Sequence, residues 1–148
     1  MAQYFKMVLA DEERIISREI EIQEIASKYN FSPKIIKSNI TYNKEDGKYI
    51  GNITMDNLQE MCIADMYGED PKDIPKIIWD QIRVILKILY FDEGIEYIDI
   101  TGYNFIEKKG KVYIIDFGDA IYSKKDREMN WFLSYFLGGH NGWNPDFR

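Results

Sequence analysis

At 148 residues, 45% of them hydrophobic and 15% aromatic, the chain is long enough for one domain with its own core and too apolar for global disorder. Its net charge of −6 argues against a general nucleic-acid surface. No apolar run approaches the roughly 20 residues that span a bilayer, the start lacks a secretory apolar segment, and a lone Cys62 excludes an intrachain disulfide and suits a reducing, cytoplasmic compartment.

Residues 3–9 read as a short strand with Lys6 in its middle. Residues 11–29 read as a helix with acids in its first turn, where they complement the dipole. At 100° per residue, Ile15, Ile22, Ile25 and Ala26 share a face that Ile16 and Ile20 widen. Glu19 falls inside that stripe, whereas Glu13 and Glu24 fall opposite. A carboxylate among isoleucines is costly unless paired, so the helix calls for a cation on its neighbour, and Lys6 is the nearest candidate.

Residues 34–41 and 48–55 read as two strands around Asp46-Gly47, a hairpin signal. A mixed stretch at 56–67 has room for a short helix, and 68–71 is loop. Asp73 and Pro75 open a long helix with Ile77, Ile78, Ile82, Ile85, Leu86 and Leu89 as its buried stripe, and Gly94 closes it. Residues 95–100 and 111–115 read as short strands around a turn at 108–110. An apolar helix is expected over about 126–137, with Trp131, Phe132, Tyr135, Phe136 and Trp143 closing a core. Cys62 reads as a small buried apolar residue, and His140, the single histidine, as structural or exposed.

The chemistry concentrates in Tyr97-Ile98-Asp99-Ile100-Thr101-Gly102-Tyr103-Asn104 and in Ile114-Ile115-Asp116-Phe117-Gly118. A carboxylate, an amide five positions on and a second carboxylate twelve beyond it form the polar set that phosphoryl transfer uses. One group orients the attacking hydroxyl and two hold divalent cations.

These motifs, and the order strand with Lys, helix with Glu, hairpin, connector, long helix, loop, strand and Asp-Phe-Gly, resemble the protein-kinase-like superfamily. The likeness is to its compact choline-kinase-like and lipopolysaccharide-kinase-like lineages, and to small kinase-like proteins of large DNA viruses. It covers roughly residues 3–120 and is specific at 97–119. The resemblance implies an α+β, minimal bilobal kinase-like fold over 1–148, with a reduced N-lobe at about 1–55 and a reduced C-lobe at about 56–148. It implies ATP and Mg²⁺ as cofactors, Asp99 as catalytic base, and Asn104 and Asp116 as metal ligands. It further implies Lys6 and Glu19 as the pair that positions the α- and β-phosphates, and Met55, Asp56 and Asn57 as the segment that cradles adenine. If the chain is viral, its place is the host cytoplasm.

The pattern departs from the family in three places. No glycine precedes Gly47, so the glycine-rich phosphate cover is lacking and ATP should bind weakly. Tyr97 and Ile98 stand where the family has His and Arg. Thirty residues follow Gly118, and Ala-Pro-Glu is missing, so most of the distal C-lobe is lacking. Two readings follow: a reduced phosphotransferase, of Ser/Thr type and low activity, acting on a protein or small-molecule acceptor; or a kinase mimic that binds a partner protein. A second copy or partner pairing with the strand at 3–9 would complete the site. No nucleic-acid or membrane partner is expected.

Overall fold

In the computed structural model, which describes residues 2–147, residues 3–10 form an edge strand, β1 (Gln3–Ala10). Lys6, Val8 and Ala10 are half-buried on one face, and Phe5, Met7 and Leu9 are exposed on the other. The protein is mixed α+β, and its strand pairs are antiparallel. It divides into two compact units. One runs to Gln59 and also takes Asp116–Gly118; the other comprises Glu60–Ile115 and resumes at Asp119.

In the first unit, β2 (Ile35–Asn43) and β3 (Lys48–Asp56) form the expected hairpin, and the sheet order is β1-β3-β2. The turn is held by Gly47 N–H donating to the Asn43 carbonyl, 2.9 Å, and by Lys48 N–H donating to Asp46 Oδ1, 3.0 Å. Helix α1 (Glu13–Lys28) lies on the sheet, where Ile16 and Ile20 pack with Ile53 and Met55. A β-carbon on Gly51 would stand 2.4 Å from Ile16 Cγ2, so the bare glycine lets the helix approach β3. The buried face of α1 is Ile16, Glu19, Ile20, Ile22, Gln23 and Ala26. It is rotated from the expected stripe, leaving Ile15 and Ile25 half-buried at its margins. Gln23 is fully buried: its amide nitrogen reaches the Pro33 carbonyl, 3.0 Å, and the Met55 sulfur, 3.4 Å, whereas its Oε1 has no hydrogen-bond partner among the described residues.

In the second unit, α2 (Ile63–Tyr67) precedes a 3₁₀ turn at Pro71–Asp73 and the long helix α3 (Lys76–Glu93), which Gly94 ends in the left-handed conformation. Ile77, expected in the buried stripe, is 63% exposed; Ile78, Trp79, Ile82, Ile85, Leu86 and Leu89 make the buried face. The expected strand at 95–100 is cut to β4 (Ile95–Glu96), which pairs with the unexpected β7 (Ile121–Tyr122). The partner of β6 (Lys111–Ile114) is instead β5 (Phe105–Lys108), across Lys109-Gly110, both at positive φ as a two-residue hairpin turn requires.

The last helix, α4 (Trp131–Leu137), begins five residues later than expected, because Asn130 caps it by accepting from Phe132 and Leu133 N–H. Phe132, Phe136 and Trp143 are buried as expected, whereas Trp131 and Tyr135 are more than half exposed. Cys62 is half-buried rather than buried, and His140 stacks on Tyr135. Among the described residues, no helix is long and apolar enough to cross a membrane.

Candidate functional site

Strand alternation turns Lys6 toward α1, and the helix presents Glu19 from its buried face. Lys6 Nζ donates to Glu19 Oε2 at 2.5 Å and to Asp116 Oδ1 at 3.2 Å. Glu19's side chain is 4% exposed, Lys6's 19% and Asp116's 44%, so the ammonium joins a buried carboxylate to a half-open one. Burial works against the Lys6 charge, but Glu19 first, and then Asp116, more than offset it, and its pKa lies above the usual lysine value.

Asp116 is further fixed by Gly118 N–H, which donates to the same Oδ1 at 2.8 Å. A β-carbon on Gly118 would stand 3.2 Å from that oxygen and 3.5 Å from Glu19 Oε1. Glycine therefore leaves the two carboxylates the room they occupy.

The second unit carries Asp99 and Asn104 in the loop between β4 and β5. Asn104 is 8% exposed; its Nδ2 donates to the Asp99 carbonyl at 2.9 Å, and its own carbonyl accepts from Ile115 N–H at 3.0 Å. Thr101 N–H also donates to the Asp99 carbonyl, 3.1 Å, and Asn104 N–H to the Thr101 carbonyl, 3.2 Å. The backbone around Asp99 is thus wound on itself, and the Asp99 side chain is half-buried.

Met55, Asp56 and Asn57 sit at the end of β3. Met55 is 2% exposed, with its side chain in the α1 core. Asp56 N–H donates to the Lys34 carbonyl, 3.0 Å, and Asn57 N–H to the Ala2 carbonyl, 3.1 Å. Those two amides are spent inside the protein.

Two arrangements were missed in the sequence. Asn144, fully buried, donates its Nδ2 to the Ile98 carbonyl and its backbone N–H to the Ile100 carbonyl, both at 2.8 Å, gripping the chain on either side of Asp99. No sequence signal beyond Asn-Pro marks it. Glu96, also fully buried, accepts from Arg127 at 3.0 Å and from Asn130 N–H at 3.1 Å. Its signal was legible: an acid between Ile95 and Tyr97 poses the same question as Glu19 among isoleucines.

Among the described residues, no cluster of three or more His, Cys, Asp or Glu is placed to hold a metal ion. No protein-family model matches the chain, and no curated protein matches it significantly.

Proposed function

We propose that this chain is a reduced protein-kinase-like phosphotransferase, with a minimal bilobal fold, that uses ATP and Mg²⁺ and has low intrinsic activity. The observation that carries the reading is Lys6 bridging Glu19 and Asp116. A buried ion pair is a costly way to hold a fold together, and it gains its purpose when the ammonium must be kept charged and aimed at a phosphate.

In this reading Lys6 binds the α- and β-phosphates, with Glu19 holding its Nζ in place. Asp116 and the Asn104 amide oxygen would hold Mg²⁺, which neutralises phosphate charge when bound. Two protein ligands suffice, because Mg²⁺ takes the rest of its shell from phosphate oxygens and water; a dedicated protein cage is not needed. The Asn104 amide suits that role chemically, since its nitrogen donates to the Asp99 carbonyl and its oxygen is the cation-binding end. Asp99 accepts the acceptor hydroxyl's proton as that oxygen bonds to the γ-phosphorus and the bond to the β-phosphate oxygen breaks, releasing ADP. The acceptor is a protein or small-molecule hydroxyl. Adenine would meet the segment at Met55, Asp56 and Asn57 without the amides of Asp56 and Asn57, which weakens its grip.

A second reading, a kinase mimic that binds a partner, is favoured by β1. Its outer edge is unpaired among the described strands, and Phe5, Met7 and Leu9 are exposed along it. Such an edge also suits a second copy that completes the site. Thermal unfolding with ATP, with and without Mg²⁺, separates the two readings. Stabilisation that requires both is expected of the phosphotransferase, and none at saturating nucleotide is expected of the mimic.

A further inference from the structure

Helix α3 carries apolar residues on two opposite sides, and the second unit's core covers one of them. Ile78, Trp79, Ile82, Ile85, Leu86 and Leu89 face that core. Ile77, Val84 and Phe91, which recur every seventh residue, form a second line and are 63%, 56% and 68% exposed. Half-buried Ile88 widens this line beside Val84. A surface helix buries one apolar stripe and carries polar residues opposite it, so a second apolar stripe marks a second contact.

The line is anchored on both flanks. On one, Gln81 Nε2 donates to the Gly110 carbonyl at 2.8 Å, and Gln81 Oε1 accepts from Val112 N–H at 3.1 Å, which ties α3 to the β5–β6 hairpin. On the other, Arg83 donates to the carbonyls of Phe136 and His140 at 2.8 and 3.1 Å, which ties α3 to the end of α4 and the loop beyond. The surface between these anchors is therefore already formed in the single chain.

The pattern is also its own complement. Ile77 and Phe91 are equidistant from Val84, seven residues either way. Asp80, four residues before Val84, and Lys87, three after, fall on one flank of it. Asp80 bonds to Lys76 of its own helix at 2.8 Å, yet its side chain stays 47% exposed, and Lys87 is exposed. Two such helices, antiparallel about a two-fold axis at Val84, set Ile77 of each copy against Phe91 of the other. They also bring Asp80 of each copy level with Lys87 of the other, to within about one 1.5 Å rise. A parallel pair would instead set Asp80 against Asp80 and Lys87 against Lys87, which like charges oppose.

We propose that this face joins two copies of the chain through α3, as an antiparallel two-fold pair centred on Val84. An isologous contact uses one surface twice, so one apolar line with an acid and a base on the same flank supplies both halves. The contact is a single helix pair, and the dimer is accordingly weak and set by concentration. The proposal goes beyond the phosphotransferase reading and does not depend on it.

The test is sedimentation velocity of the full chain from about 5 to about 500 µM, the range that a contact of less than about 1,200 Å² calls for. A reversible monomer–dimer equilibrium is expected. Val84→Glu sets two carboxylates against each other at the two-fold axis and should leave a monomer throughout. Because that site is exposed, the variant's thermal unfolding in dilute solution should match the wild type's. Asp80→Lys and Lys87→Asp should each weaken the dimer about tenfold, and their equimolar mixture should pair nearly as tightly as the wild type, because each acid again meets a base. Met7→Lys, on the exposed face of β1, should leave the equilibrium unchanged. A monomer at every concentration, a dimer that survives Val84→Glu, a dimer lost in Met7→Lys, or a mixture no tighter than its components overturns the proposal.

Discussion

Lys6 Nζ lies 2.5 Å from Glu19 Oε2, and the carboxylate it meets is 4% exposed in the face of a helix otherwise built of isoleucine, alanine and one bonded glutamine. This pair makes the first unit's core depend on a charge that a purely structural core would not require.

Lys6→Met therefore leaves Glu19 buried and without its ammonium, and should destabilise the protein by about 3–5 kcal/mol. The double variant Lys6→Met/Glu19→Leu should recover most of that loss, because an apolar pair of similar volume suits the site at least as well. Urea unfolding of the wild type, the single variant and the double variant gives the comparison. A single variant as stable as the wild type would mean that Glu19 finds another partner.

The raised Lys6 pKa has a pH signature. The folded state holds this proton more tightly than the unfolded chain, so the pair's contribution is complete below the ordinary lysine value of 10.5 and fades as pH rises through the higher folded value. The difference in unfolding free energy between the wild type and the double variant should shift toward the double variant above that pH. Tyrosine titrations cancel in the difference. A difference that stays flat from neutral pH to 12 would contradict the assignment.

Asn144→Ala removes the amide that holds the Ile98 carbonyl while keeping the backbone bond to Ile100. A cost of about 1–3 kcal/mol is expected, together with faster hydrogen exchange at the Thr101 and Asn104 amides, whose bonds depend on the shape of the loop. Unchanged exchange at those two amides would show that the loop holds itself.

Glu96 and Arg127 give a matching test in the second unit. Arg127→Met should cost about 3 kcal/mol, since a fully buried carboxylate keeps only its bond from Asn130 N–H. Adding Glu96→Gln should restore much of the loss. Equal stabilities in thermal unfolding would show that Arg127, which is partly exposed, contributes little.

The sequence made some of this legible and hid the rest for physical reasons. The 3.6-residue period located α1 and α3, because each buries one face, and Asp46-Gly47 located the β2–β3 hairpin. Lys6 and Glu19 were paired in advance by a single argument, that an acid inside an apolar stripe needs a cation. The pairing of β4 with β7 was hidden, because two-residue strands carry no periodicity and depend on the long-range contacts of Ile95 with Tyr122 and Glu96 with Ile121. The start of α4 was misplaced because Arg127 and the Asn130 N–H are bonded to Glu96, a long-range demand that no local pattern carries. The grip of Asn144 on the loop of Asp99 was invisible because a buried asparagine and a turn asparagine are the same letter. The return of Asp116–Gly118 to the first unit was equally hidden, since chain order alone assigns those residues with their neighbours.

The most direct test of the central claim is calorimetric titration of ATP into the wild type, Asp116→Ala and Asp99→Ala, each with and without Mg²⁺. The account predicts Mg²⁺-dependent binding by the wild type, its loss in Asp116→Ala, and its retention in Asp99→Ala alongside abolished phosphate transfer. Equal affinity for the wild type and Asp116→Ala would contradict it.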